Sequence, residues 1–455
     1  MTSQKSPIER SLLSLAWPIF VEQALHVATG TVDTFMVSHI SDSAVAALGT
    51  AHQIVILCLI IFSFVGIGTS VVVTHHLGAK DREGADRIAA TAIGVNTWLG
   101  LAVSLTVWFF AEPMLRAMQL SDALLVYALP FLHLMGGTLF LESINFSLSA
   151  ILRAHGHTRD AMWITLGQNV INFIGNAILL FGLFGAPKMG VVGVALSTVF
   201  SRFVACIVLW IMLKRRTHMH VRVRDFCYLK RDRLGRILHI GLPAAGENIS
   251  WWLAYMTITA LTARMGDTQL ATLSYTMQIS WCASLISLSI ALATEIKIGH
   301  YVGAGRFNDA YGQTIRSLKI GWTVSTIGIA LIVLVSPYIY GAFTDDAAII
   351  ATGAILMRFC LLIEPGRVAN MVVINALRAT GDARYPVMVG MASQWSVMAF
   401  GGWLLGAHFG FGLPGIWAAM VIDEWLRSFL MLHRWRRRRW IKHAERTHAA
   451  AQAKA

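Results

Sequence analysis

Charged side chains are scarce in this chain of 455 residues: they make up only 13% of it, while 56% of the residues are hydrophobic. The few charges lie in short clusters between long apolar runs. Ordinary soluble domains carry roughly twice this share of charge. The composition therefore argues against a soluble domain and indicates an integral membrane protein.

Cysteine and enzyme motifs are also sparse. Four of the five cysteines lie inside apolar runs: Cys58, Cys206, Cys282 and Cys360. The fifth, Cys227, lies in a polar connector, so a disulfide framework is not expected. The chain has no Gly-x-x-x-x-Gly-Lys phosphate loop, which argues against ATP-driven pumping by this chain alone. His155 and His157 are not followed in the sequence by further His or Cys residues at metal-site spacing, and we expect no metal site, no cofactor and no enzyme activity.

Twelve apolar runs are long enough to cross a bilayer as helices, which takes about 20 residues each. They lie at about 13–38, 52–77, 88–111, 124–151, 161–184, 191–213, 237–264, 269–299, 313–340, 347–376, 386–410 and 413–433. We predict an all-α membrane protein with lobes at 1–213 and 237–440. A basic connector, 214–236, joins the lobes, and we expect the polar tail 441–455 to be disordered.

The two halves repeat each other at a constant offset of 225 residues. Matching residues extend from the first span of each half to the fourth: Pro18 with Pro243, Glu22 with Glu247, Gln53 with Gln278, His75 with His300, and Leu152-Arg153-Ala154 with Leu377-Arg378-Ala379. Six spans in each half make the repeats parallel and predict two pseudo-symmetric six-helix lobes. Duplicated membrane halves are typical of secondary transporters, whose substrate site opens alternately to each side.

Lys and Arg collect in the loops on one side of the predicted bundle, which sets the orientation. These residues include Arg10, Lys80, Arg82, Arg153, Arg159, Arg306, Arg378, Arg384 and Arg436 to Arg439, together with the connector. Both termini are therefore predicted to be cytoplasmic in a cell (inner) membrane. This topology accounts for the net charge of +13 without a nucleic-acid partner.

The first span carries a polar stripe of Glu22, His26, Thr29 and Asp33, spaced by four, three and four residues. Ionisable residues at membrane depth are costly and are functional candidates by default. Asp33 is the sharpest candidate, since its own helix offers no basic neighbour. The alternative is a solvated or capping carboxylate near the outer end of the helix.

The fifth span carries a second stripe: Thr165, Asn169, Asn172 and Asn176. Amides in hydrocarbon must find hydrogen-bonding partners. One interpretation is that Asn172 and Asn176 meet Asp33 and form a site for a proton or a sodium ion, with a hydroxyl from Thr198 on span six. The other is that these amides only hold helices together.

A possible second site involves four further acids: Glu22, Glu247, Glu364 and Asp423. Glu364 and Arg367 are three residues apart and suit a purely structural ion pair. Glu142 matches Arg367 in the repeat register, which suggests charge compensation within or between lobes.

Aromatic and amide side chains are the candidates for a substrate cavity: Gln53, Trp251, Tyr255 and Gln278. Most aromatic residues of such a chain face lipid or the interface. Those that face a cavity suit a flat or cationic apolar substrate.

The sequence resembles the multidrug and toxic compound extrusion (MATE) family. The resemblance rests on Leu15 to Phe20, Val32 to Val37, Gly241-Leu242-Pro243 and Ala376 to Asp382, and it covers about residues 10–440. It implies a V-shaped bundle that exports organic, often cationic, compounds in exchange for protons or sodium ions. It places the cation site at Asp33, Asn172, Asn176 and Thr198.

The chain departs from the family pattern in its second half. Sodium-coupled members carry a Glu at the position of Trp251, and their span-ten Asp aligns with Arg367. These departures favour protons at the N-terminal half.

Two other functions remain open. A lipid-linked oligosaccharide flippase of the wider superfamily is the nearest alternative, and such proteins usually carry extra spans. A receptor or scaffold that does not transport is the third, but it has no use for a costly buried carboxylate. For an exporter, the expected partners are small organic substrates and membrane lipids, and we expect a monomer.

Overall fold

The computed structural model describes residues 7–217, 219 and 230–453, and helices dominate them. In chain order the α-helices are α1 (Leu12–Ser38), α2 (Asp42–Gly78), α3 (Arg82–Ala117), α4 (Asp122–Gly137), α5 (Leu139–Ala154), α6 (Thr158–Phe181), α7 (Gly190–Thr217), α8 (Arg231–Ala263), α9 (Asp267–Gly303), α10 (Phe307–Phe343), α11 (Ala347–Ala379), α12 (Arg384–Ser393), α13 (Phe400–Trp403), α14 (Gly412–Arg436) and α15 (Ile441–Gln452). A 3₁₀ turn at Leu183–Gly185 follows α6, and π-helical stretches at Gln394–Ala399 and Leu404–His408 flank α13.

The prediction of an all-α membrane protein is confirmed, and each of the twelve predicted spans falls on a helical segment of the described chain. Eight helices are long and apolar enough to cross a membrane by themselves, and α4 with α5, bent by 45°, makes a ninth. The other three segments are α8, the run from α12 to His408, and α14. Buried charges such as Asp423 and Arg427 lower the hydropathy of α14.

By their internal contacts the helices divide into two compact units. The N-terminal unit comprises Val21–Leu77 and Asp81–Leu242; the C-terminal unit comprises Met1–Phe20, Gly78–Lys80 and Pro243–Ala455. The beginning of the chain therefore differs from the predicted lobe 1–213. Leu15 and Ile19 share a core with Ile290 and Val368, and Lys297 donates a hydrogen bond to the carbonyl of Arg10 at 2.8 Å.

The tail prediction is wrong for Ile441–Gln452, which forms α15. The helix buries Ala444 and Ala451, and the ring of His448 bonds to the Gly303 carbonyl at 2.8 Å. Tertiary packing thus stabilises a short polar helix that would be marginal alone. Residues 220–229 of the predicted connector, including Cys227, lie outside the described residues.

Candidate functional site

Asp33 lies in the N-terminal unit against the amide stripe of α6. Asn176 donates a hydrogen bond from Nδ2 to Asp33 Oδ1 at 2.6 Å, and the same amide lies 3.4 Å from Asn172 Oδ1. Asn172 in turn donates to the hydroxyl of Thr198 at 3.0 Å. The structure thus joins all four residues of the predicted cation site in one chain of hydrogen bonds.

The amide oxygen of Asn176 is the distinctive atom of this cluster. Asn176 is fully buried, and its Oδ1 has no hydrogen-bonding partner among the described residues. A buried amide oxygen that accepts no hydrogen bond carries a desolvation cost that nothing compensates. Next to a carboxylate, such an oxygen is chemically suited to a proton carried by Asp33 or to a small cation.

The remaining residues of the α1 stripe have different surroundings. Glu22 is buried and pairs with Arg153, their atoms Oε1 and Nη1 lying 2.5 Å apart. The Thr29 hydroxyl bonds to Asn169, and Asn169 Nδ2 donates to the Leu25 carbonyl at 3.4 Å. His26 is exposed. Polar contacts therefore attach α1 to α5 at Glu22 and to α6 at Thr29 and Asp33.

Arg202 on α7 is a site residue that the sequence reasoning missed. It is buried, pairs with Glu142 at 3.2 Å, and lies close enough for its charge to act on Asp33. The compensation suggested for Glu142 is thus made within its own half, by Arg202. The sequence did contain a signal that could have identified it. An arginine in the middle of span six is expected to pair with an acid, since charged residues inside membrane spans usually pair with one another.

A denser ionic cluster lies inside the C-terminal unit. Glu364 contacts Arg367, whose Nε is 3.7 Å from Glu424; Arg427 reaches Glu424 at 3.2 Å and Asp423 at 2.6 Å. Hydroxyl and amide groups complete it: Ser287 on Glu364, Ser393 on Asp423 and Asn370 on Glu424. We call these residues the C-terminal ionic cluster.

The four predicted second-site acids do not share a single site. Glu364 and Asp423 belong to the C-terminal ionic cluster, whereas Glu247 bonds to Arg378 at 2.7 Å. Glu22 belongs to the N-terminal unit and has its own arginine. Three carboxylates and two guanidiniums in the cluster leave one acid in formal excess.

The candidate cavity residues fall into two kinds. Trp251 and Tyr255, one turn apart on α8, stack at 5.5 Å, and Trp281 from α9 meets Trp251 edge-on at 5.6 Å. Gln53 and Gln278 are exposed on α2 and α9, at matching positions of the repeat. An aromatic face of this kind can stack on a flat ring or attract a cation.

Comparison with known proteins agrees with this architecture. A family model described as MatE matches residues 18–178 and 243–404. The transporter YisQ of Bacillus subtilis is 39% identical over 443 residues, which are 97% of each chain. The probable multidrug resistance protein NorM of Thermotoga maritima is 25% identical and covers 96% of this chain and 94% of its own.

Solved structures carry the same fold. A structure of MATE in the bent conformation has a TM-score of 0.87 at 21% identity, over 96% of each chain. The matched family segments begin at Pro18 and Pro243, where the internal repeat begins. The chain therefore belongs to the MATE family of multidrug efflux transporters.

Proposed function

We propose that this transporter exports amphipathic, cationic organic compounds in exchange for protons, and that Asp33 carries the proton. The observation that supports this most directly is the contact of Asp33 with Asn176, whose own Oδ1 is buried without a hydrogen-bonding partner among the described residues. A charge at membrane depth costs about 3 kcal/mol on insertion scales. A buried carboxylate that costs this much free energy is expected to serve a function.

The ligand count favours a proton over sodium. A proton needs one acceptor oxygen, whereas a metal ion needs a shell of several oxygens. Asn172 Oδ1 faces the amide of Asn176, and the Thr198 hydroxyl donates to the Val194 carbonyl while accepting from Asn172. The oxygens that remain to bind a cation are those of Asp33 and the Oδ1 of Asn176, and these are enough for a proton.

Coupling requires a two-state element that proton and substrate bias in opposite senses. Helix α1 suits this role because Asp33 and Thr29 attach it to α6 through neutral amides. Protonation removes the charge that Asn176 stabilises, so α1 can repack against α6. Substrate export then follows from the opposite repacking when Asp33 is ionised again.

The aromatic face of Trp251, Tyr255 and Trp281 supports a flat, cationic substrate. Twelve long helical segments in the described chain favour the exporter over the flippase, for which extra spans are usual. We further propose an inner-membrane location with both termini cytoplasmic, since the exposed ends of α7 and α14 are rich in arginine.

The test is accumulation of a fluorescent organic cation in cells lacking their own exporters, at set external pH and sodium. Asp33→Asn keeps the shape of the side chain and removes its titration, so gradient-driven efflux should be lost while the protein remains inserted. Glu112→Gln, which changes a half-exposed carboxylate of the same unit that pairs with Arg116, is the matched control for loss of an acid. Normal export by Asp33→Asn, with loss in Glu247→Gln, would place coupling in the C-terminal unit.

A further inference from the structure

One buried ion pair occurs twice in the chain, once in each half. Glu22 lies 2.5 Å from Arg153, and Glu247 lies 2.7 Å from Arg378. Both pairs span the same separation of 131 residues, and each member of one pair matches a member of the other at the repeat offset. The sequence repeat therefore preserves an interaction as well as residues.

Each pair connects the same two places in its half. Each glutamate lies four residues after the proline of the half's first helix, Pro18 or Pro243. Each arginine lies in the last turn of the half's fourth span, at the end of α5 or α11. The pair thus fixes an interior position of the first helix, just after its proline, to the end of the fourth span.

The glutamate of each pair is buried, and its arginine is mostly buried, with 18% of the Arg153 side chain and 9% of the Arg378 side chain exposed. Glu22 is 1% exposed and Glu247 6% exposed. Replacing a buried pair with apolar residues of similar size is often neutral or stabilising, so stability alone gives little reason to keep it. Buried pairs of this kind are best explained where they fix one arrangement of helices.

The two halves differ in what lies further along the first helix. Asp33 follows Glu22 by eleven residues, a rise of about 16 Å along α1. The position that matches Asp33 in the second half is Ile258, which is buried in the apolar core of the C-terminal unit. Only the Glu22 pair therefore anchors a helix that carries a coupling carboxylate.

We infer that Glu22 and Arg153 form a positioning pair for ion coupling. The pair holds α1 fixed at Glu22, inside the helix, so that protonation of Asp33 repacks only the part of α1 that follows Glu22. Glu247 and Arg378 give α8 the same anchor without touching the coupling residue. The inference rests on the proposed role of Asp33.

The following charged and titratable groups of the described residues lie around Glu22 and Asp33. Arg153 faces Glu22 from α5. Near Asp33, Arg202 acts from α7 and is itself paired with Glu142. His52 on α2 lies beside Gly30 and within reach of the Arg202 charge. Arg202, Glu142 and His52 are unaltered in the variants below.

The experiment measures efflux from proteoliposomes as a function of pH for two doubly neutral variants. Glu22→Gln/Arg153→Met removes the anchor without stranding a charge, and Glu247→Gln/Arg378→Met is its counterpart in the other half. We expect the first to fold, to export about tenfold more slowly and to show a pH midpoint displaced by about one unit. The second should export more slowly with the midpoint of the unaltered protein.

Three results would overturn the inference: an unchanged midpoint in the Glu22 variant, equal displacement in both variants, or failure of only the Glu22 variant to fold. Asp33→Asn, measured in the same vesicles, separates this inference from the proposed function. A normal pH profile for Asp33→Asn refutes the role of Asp33 itself. Loss of coupling in Asp33→Asn, together with an unmoved midpoint in the Glu22 variant, refutes the positioning role alone.

Discussion

Buried charges show how the two halves diverged residue by residue. Arg202 and Arg427 match in the repeat, as do Asn145 and Asn370, and the Oδ1 of each asparagine is buried without a hydrogen-bonding partner in the described chain. Around these shared residues, matching positions carry different charges in the two halves. Glu142 stands where the second half has Arg367, and Thr198 stands where it has Asp423. One scaffold therefore carries an amide-rich site in one half and an ionic cluster in the other.

Sequence reasoning located most of these side chains and some of their partners, such as Asn176 for Asp33 and Arg367 for Glu364. Helical spacing brought Asp33, Asn172 and Asn176 onto facing stripes, and the hydrogen bonds agree with it. Periodicity gives the face of a helix but not the neighbour it packs against. For that reason Arg202, one helix away in the bundle, was not connected with Asp33.

At the residue scale, Arg427 should be essential for stability. Arg427→Met leaves Asp423 buried without its guanidinium and Glu424 with only the more distant Arg367, which should cost about 3–5 kcal/mol of unfolding free energy. Arg436→Met, on the exposed end of the same helix, should change it by less than about 1 kcal/mol. Thermal unfolding of both variants in one detergent checks this, and equal melting temperatures would contradict it.

At the element scale, the helices follow from hydropathy, whereas their interruptions and attachments do not. The bend between α4 and α5 divides a single apolar run that contains Gly136 and Gly137. Helix α15 was missed because its sequence is polar and gains stability only by docking. Gly305 and Gly381 make that docking possible, since a Cβ there would lie 3.2 Å from His448 and 2.5 Å from Thr447. In the first half, Lys80 stands at the position of Gly305.

Removing α15 should therefore loosen a defined part of the protein. A chain ending after Trp440 loses the bonds of His448 to the Gly303 carbonyl and of Thr447 to the Thr380 carbonyl. Amide hydrogen exchange should become faster in loops 303–306 and 380–382, because α15 no longer packs against them. The repeat supplies a control in loop 155–157 of the N-terminal unit, which should exchange as before. Unchanged exchange in all three loops would contradict the docking role.

At the scale of the whole molecule, the internal repeat predicted the fold class better than any single motif. Twelve apolar runs in two matching halves leave few architectures open. The assignment of residues 7–20 to a unit could not be predicted from the repeat. Leu15 and Ile19 are as apolar as residues that face lipid, and only packing shows that they belong to the C-terminal unit.

In the proposed function, the movement of an organic cation is coupled to the protonation of Asp33. Coupling is reciprocal, so a substrate gradient alone must drive protons the other way. The decisive measurement is internal pH in proteoliposomes without an initial pH or sodium gradient, after substrate is added on one side. We predict proton movement against the substrate in the unaltered protein and none in Asp33→Asn. Substrate transport without proton movement, or proton movement that persists in Asp33→Asn, would contradict it.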